Sequence, residues 1–209
     1  MKSFEAITPK LLYWMLAPER PPGMGDPCEC KVNGAVRICY CKECGPRSTC
    51  CTTCFVDRHR FLTNHWAEVW NGNFLERKDI SELGHVISYG HDLEGGRCKN
   101  APITDFILVD LNGVHRTKAS FCVCIANRLP DKVDQLLSAQ VFPGTLKSPA
   151  VGFTFRLLED FHLQTLTSKK SPYDYMMALR RKTNNSFVGD VPVRLYRLTK
   201  FVSFILFSF

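Results

Sequence analysis

"CKECGPRSTCCTTCFVDRHRFLTNH", residues 41–65, places five cysteines and two histidines in 25 positions. Its reading decides between a chain tied by disulfides and one that folds around metal. Working outward, Cys28, Cys30 and Cys39 bring the cysteines between 28 and 54 to eight, and Cys98, Cys122 and Cys124 follow downstream. The total of 11 is odd, so a complete disulfide set would leave one thiol over. Disulfides also need an oxidising compartment, reached in most cases through a signal peptide. The apolar run "LLYWMLA" at 11–17 is followed by "PERPP", where a small-residue cleavage site should stand. No stretch approaches the roughly 18 apolar residues of a membrane span, and the terminal "FVSFILFSF" is about half that length. We therefore expect a protein that is not secreted, makes no membrane contact and works in a reducing compartment. With 209 residues, 45% hydrophobic, the chain can bury a real core in one or two domains.

Between 28 and 65 the potential ligands fall in four pairs: Cys28 with Cys30, Cys41 with Cys44, Cys51 with Cys54, and His59 with His65. A closely spaced pair in a tight turn aims two side chains at one point, and four pairs complete two tetrahedral zinc sites. In the interleaved, cross-brace order of B-box and ZZ modules, one site is Cys28, Cys30, Cys51 and Cys54. The other is then Cys41, Cys44, His59 and His65. The sequential order, joining pairs one with two and three with four, is also open to the spacing. A redox dithiol is disfavoured, because neither C-x-x-C sits in a βαβ pattern. Cys39 and Cys50 read as small buried residues beside ligands, with Cys50 able to exchange roles with Cys51. Few large apolar residues accompany these cysteines, so metal binding is expected to supply most of this segment's folding free energy.

Residues 103–124, "ITDFILVDLNGVHRTKASFCVC", read as a β-hairpin turning at Asn112-Gly113. That turn would set Asp110 opposite His115 as a cross-strand pair. Cys122 and Cys124 would share one strand face, with His115 on the other. His91 and Cys98, on the glycine-rich "GHDLEGGRC", supply the missing pair for a third zinc held by His91, Cys98, Cys122 and Cys124. His115 is the substitute for His91, and three ordinary buried thiols are the bland alternative.

The net charge of +7 is unevenly spread: 17 Lys+Arg against 16 Asp+Glu in residues 1–139, and 10 against 4 in 140–209. Three zinc–thiolate sites would take residues 1–139 to about −2, a poor grip on phosphates. Basic residues concentrate instead at Arg180, Arg181, Lys182, Arg194, Arg197 and Lys200, read as a solvated face or a contact for nucleic-acid phosphates. No base-reading motif or stacking array accompanies them. Ser171-Pro172 opens an expected helix with Asp174 in its first turn, and Tyr173, Met176, Met177 and Arg180 recur at helical spacing, the apolar ones towards a core. A preceding helix over about 155–167 would turn Leu158, Phe161 and Leu166 inward, with His162 a structural residue.

The ordered series from Cys28 through "CFVDRHRFLTNHWAEVWNGNF", "GHDLEGGRC", "DLNGVH" with "FCVC", "VFPGTLKSPAVGFTFRLLEDFHLQTL" and "SPYDYMMALRRKTNN" resembles the CxC-type-2 cysteine cluster domain. That domain stands before the catalytic domain of KDZ (Kyakuja-Dileera-Zisupton) transposases, chiefly in fungi. The resemblance runs from about residue 10 to 185. It implies a nuclear, zinc-binding accessory domain of a mobile-element protein that engages DNA, a transposase catalytic domain or another protein. Family members continue into a transposase domain that does not follow here, and "FVSFILFSF" does not fit the family, so a truncated copy or a gene model ending in translated intron is expected. No catalytic residues carry over, and neither an enzyme nor a small-molecule substrate is expected. A cytoplasmic location or a B-box-like protein-interaction module without DNA binding is the alternative.

The expected fold is α+β: a lead-in with a short helix (1–27), a two-zinc cluster (28–75), a β-rich segment with the third site (76–140), a helical region (141–190) and a divergent tail (191–209).

Overall fold

Residues with too few large apolar side chains for a conventional core nevertheless form the first of two units. The computed structural model describes residues 2–16, 21–45, 49–90, 98–124 and 131–191, and the chain divides into Met1–His85 and Val86–Phe209. The fold is mixed α+β. The first unit begins with helices α1 (Lys2–Glu5) and α2 (Thr8–Leu16). Strand β1 (Cys39–Tyr40), helix α3 (Thr52–Arg58), β2 (Ala67–Trp70) and β3 (Leu75–Lys78) follow. The strands form one antiparallel sheet in the order β1-β2-β3, with Tyr40 opposite Glu68 and Val69 opposite Glu76. Its buried cluster is Cys28, Cys39, Cys41, Cys50, Cys51, Phe55, Ala67 and Ile80. A 3₁₀ turn over Ile80–Leu83, closed by reciprocal capping between Asp79 and Glu82, drops Ile80 into that cluster. The break expected after residue 75 therefore falls after His85.

The second unit is built on β4 (Ile87–Tyr89), β5 (Ile103–Asp110), β6 (Gly113–Phe121), β7 (Val141–Pro143) and β8 (Val151–Thr154). The sheet order is β4-β6-β5-β8-β7, with β4/β6 and β5/β8 parallel and the other pairs antiparallel. Helix α4 (Lys132–Ser138) precedes β7, and α5 (Phe155–Ser168) and α6 (Pro172–Thr183) follow β8. Because side chains alternate along a strand, the sheet buries two faces. Val109, Val114 and Phe153 pack against Leu157, Leu158 and Phe161 of α5 and Tyr175, Met176 and Leu179 of α6. Phe106, Leu108, Ala119 and Phe121 pack on the opposite face with Leu136 of α4. The stretches expected as separate regions, 76–140 and 141–190, thus share one sheet: β8 adds directly to β5.

Several local expectations shift by a residue or a face. The hairpin turns at Leu111-Asn112, so Asp110 pairs with Gly113 and His115 with Leu108. Asn112 is held by its own side chain, which accepts the His115 Nε2–H at 2.8 Å. Asp110, fully buried, takes Arg156 and the Thr154 hydroxyl. Ser171 caps α6 through the Asp174 N–H at 3.1 Å, with Pro172 in its first turn. The buried residues of α6 are Tyr175, Met176, Leu179 and Arg180, while Tyr173 is exposed. On α5, Leu158 and Phe161 face inward but Leu166 is 62% exposed; Leu157 takes its place in the core. Among the described residues no helix is long and apolar enough to cross a membrane.

Candidate metal centres

Local chain geometry brings the four pairs of the first unit together in the interleaved order. Cys28, Cys30, Cys51 and Cys54 form one group, and Cys41, Cys44, His59 and His65 the other, with all ligand atoms of each group within 4.8 Å of one another. Helix α3 joins the two groups. Cys51 is its N-cap, Cys54 lies in its first turn, and His59 is its C-cap. Seven residues rise only about 10 Å, so one rigid element serves both sites. Cys41 follows β1 and His65 shortly precedes β2; the β1–β2 ladder carries them to one place.

The spacing of the donor atoms tests whether an ion fits. A tetrahedral ion with metal–sulfur bonds of about 2.3 Å has sulfur–sulfur edges of about 3.8 Å and sulfur–nitrogen edges of about 3.6 Å. In the first group the Cys28–Cys54 and Cys30–Cys51 sulfurs are 3.9 and 3.8 Å apart. In the second, His65 Nδ1 is 3.5 Å from Cys41 Sγ and 3.4 Å from Cys44 Sγ, and His59 Nε2 is 3.3 Å from Cys44 Sγ. Both groups have the dimensions of a tetrahedral site.

The surroundings prepare the donors. The Cys51 backbone N–H points at Cys28 Sγ, 3.3 Å away. Backbone N–H groups of Cys30 and Cys51 hold the Cys28 thiol down at about 6. Cys54 is pushed up to about 12, first by the Cys51 thiol and then by burial. Four thiols this close cannot all ionise unless a cation shares their charge. His59 donates its Nδ1–H to the Phe55 carbonyl at 2.8 Å, which fixes the tautomer and turns the Nε2 lone pair towards Cys44. Burial lowers the His59 pKa and favours the neutral, ligating imidazole. Phe55 also stacks on this ring, with centroids 4.0 Å apart. Sequence reasoning passed over Phe55, because no spacing rule marks an aromatic residue that steadies a ligand one helical turn away.

Cys39 and Cys50 belong to neither group. They pair across an isolated bridge with N–H to O distances of 2.9 and 3.0 Å, and both are buried. Burial pushes their thiols up to about 11 and about 12. Cys51, and not Cys50, stands in the first group.

In the second unit Cys98, Cys122 and Cys124 come together, with Cys98 and Cys124 sulfurs 3.3 Å apart. Strand β6 ends at Phe121, so Cys122 and Cys124 lie just beyond the ladder rather than on a strand face. The Cys124 N–H points back at Cys122 Sγ at 3.4 Å, a knuckle geometry. The Cys98 thiol first, then that of Cys122, pushes Cys124 up to about 12. His91 lies outside the described residues. His115 cannot replace it: it is seven residues from Cys122 along an extended strand, about 23 Å, and is engaged with Asn112.

The basic residues divide. Arg180 is 8% exposed, with its guanidinium on the Val188 carbonyl and on Met177 Sδ. Lys182 donates to the Leu111 carbonyl at 2.8 Å, and Arg181 reaches Asn185 at 3.4 Å. Arg194, Arg197 and Lys200 lie outside the described residues.

No curated protein and no solved structure matches the chain. The family profile described as "CxC2 like cysteine cluster associated with KDZ transposases" matches residues 80–187, and so takes in the third cysteine group, β4 to β8 and helices α4, α5 and α6. The resemblance seen in the sequence from about residue 10 is carried by the profile from residue 80 onward. With just over half its length in that match, the chain belongs to the CxC2-like cysteine cluster family associated with KDZ transposases.

Proposed function

We propose that the chain is a zinc-stabilised, non-catalytic accessory region of a KDZ-type transposase system, nuclear in location, that provides contact with DNA or with a partner protein such as the transposase catalytic domain. The observation that carries it is the pair of four-donor groups, Cys28, Cys30, Cys51, Cys54 and Cys41, Cys44, His59, His65, at tetrahedral spacing. Mixed sulfur and nitrogen donors at these distances favour zinc. Four protein ligands leave no open position for water, the pattern of a structural rather than a hydrolytic ion. When bound, the ions would supply the cross-links of a cross-brace module of the B-box or ZZ kind. In that module α3 orients Cys54 and His59, and Phe55 excludes water from the His59 side. A third ion would be held by Cys98, Cys122 and Cys124 with His91.

Protein contact has a specific observation in its favour. Arg180, the first of the basic run, is buried, and Phe61 and Phe74 of the first unit are 61% and 59% exposed. Elemental analysis of protein purified without chelator or added metal tests the zinc reading: about three zinc ions per chain are expected, and none would overturn it. A salt titration of DNA binding separates the contacts. A DNA role predicts affinity falling steeply with ionic strength and lost on neutralising Arg181, Lys182, Arg194, Arg197 and Lys200. Absence of DNA binding at low salt leaves the protein-contact reading.

A further inference from the structure

Gln135 lies on α4, outside every cysteine motif, yet it is 1% exposed and its amide makes two hydrogen bonds to one residue. Its Oε1 accepts the Cys122 N–H at 2.9 Å and its Nε2 donates to the Cys122 carbonyl, also at 2.9 Å. The same N–H is shared with the Tyr89 carbonyl of β4 at 3.0 Å. Gripping both the N–H and the C=O of one residue fixes the peptide planes on either side of it, and with them the direction of its Cα–Cβ bond. The neighbourhood is shaped for this amide. A Cβ on Gly90 would stand 2.5 Å from Gln135 Cδ and Oε1, so the side chain occupies the space that glycine leaves. Lys132, one turn earlier on α4, lies over the Phe121 ring at 5.2 Å and holds the helix against the end of β6.

We propose that Gln135 is a positioning residue for the third metal site, a clamp on the backbone of Cys122 that aims its sulfur at Cys98 and Cys124. This rests on the reading of that trio as ligands. The last bond of the β4–β6 ladder is the Cys122 N–H to the Tyr89 carbonyl; strand β6 ends at Phe121, and the glutamine amide shares that N–H and alone takes the Cys122 carbonyl, adding a second hold where the ladder gives out. Outer-shell partners of metal ligands typically govern affinity by about 10–100-fold.

The test is a stepwise Co²⁺ titration of the full chain against a competing chelator, following the thiolate-to-cobalt absorption, with wild type, Gln135→Met and Leu136→Ala compared. Leu136→Ala removes a fully buried core side chain of the same helix without touching the Cys122 bonds. Wild type is expected to take up three equivalents. Gln135→Met should bind two at wild-type affinity and the third about tenfold or more weakly, with an altered charge-transfer band, while Leu136→Ala keeps the third. If the methionine variant does not fold, Gln135→Glu, which keeps the acceptor and drops the donor towards the Cys122 carbonyl, carries the same prediction. An unchanged third equivalent in the Gln135 variants, or equal weakening in Leu136→Ala, overturns the clamp. Wild type saturating at two equivalents overturns the third site itself, a separate failure.

Discussion

Cys50 and Cys51 are neighbours in the chain, both buried, and the structure assigns them opposite parts. Cys51 Sγ is 3.8 Å from Cys30 Sγ within a four-thiol group, whereas the backbone of Cys50 bridges to Cys39 and its side chain is outside the group. A structural zinc site binds with about 10–16 kcal/mol at neutral pH, so one of four ligands carries about 2.5–4 kcal/mol, or on the order of 10²–10³-fold in affinity. Cys51→Ala should therefore weaken one zinc by that factor and lose it to a chromophoric chelator that wild type resists. Cys50→Ala removes a single buried sulfur and should cost about 1 kcal/mol of stability with full zinc content. Zinc stoichiometry by elemental analysis and a chelator competition at pH 7 decide between them. Loss of an equivalent from Cys50→Ala with full content in Cys51→Ala would refute the assignment of the adjacent thiols. Full content in both would refute the group as a metal site.

Chelation should strip amide-exchange protection from β1, α3, β2 and β3 while β5 and β6 keep theirs, because the first unit's core is largely cysteine and the second unit's is not; equal loss in both units, read by hydrogen exchange, would contradict this. Gly152→Ala places a methyl 2.4 Å from Val141 Cγ1 and 2.8 Å from Phe106 Cζ. It should lower stability by about 1–3 kcal/mol in a denaturant titration without changing metal content. Arg156→Leu removes the guanidinium from the fully buried Asp110. Because the arginine is itself half exposed, the loss should be about 1–3 kcal/mol, read as a lower unfolding midpoint.

What was legible in the sequence was whatever rests on short-range chemistry. The four pairs between 28 and 65 announced themselves by spacing, and the Ser171-Pro172 cap by its residue types. Spacing left open which pairs meet, because either order satisfies tetrahedral coordination; the β1–β2 ladder and α3 decide it through contacts distant in sequence. The hairpin was visible but its turn was displaced by one residue, since Asn-Gly favours a primed turn only where nothing competes for the asparagine. Here the asparagine side chain takes the His115 Nε2–H, and Gly113 enters the ladder. A one-residue slip changes every cross-strand partner, which is why Asp110 meets Arg156 from α5 rather than His115 as its ladder partner. Helical spacing picked the right helices but misplaced part of their inner faces. Tyr173 and Leu166 fit the period yet are exposed, because the sheet surface they would cover is already filled by Tyr175, Leu179 and Leu157.

The two units make different uses of cysteine, and the family match falls on one side of that difference. In the first unit five of the eight clustered buried residues are cysteines, and Phe55 and Ile80 are its large apolar members. There the donor groups stand where a hydrophobic core would stand, so a metal bound by them would make binding and folding one event. In the second unit Phe106, Leu108, Phe121 and Leu136 on one face of the sheet, and Phe153, Leu157 and Leu179 on the other, belong to core clusters that contain no cysteine. Cys98, Ala101 and Cys122 make a small cluster of their own beside it. A metal at that edge would join the chain leading into β5 to the chain leaving β6, closing a loop on a scaffold already folded. Its loss should therefore loosen a surface rather than unfold a domain. The family profile covers this second arrangement, the sheet from β4 to β8 with the cysteine trio at its edge, and not the two four-donor groups of the first unit.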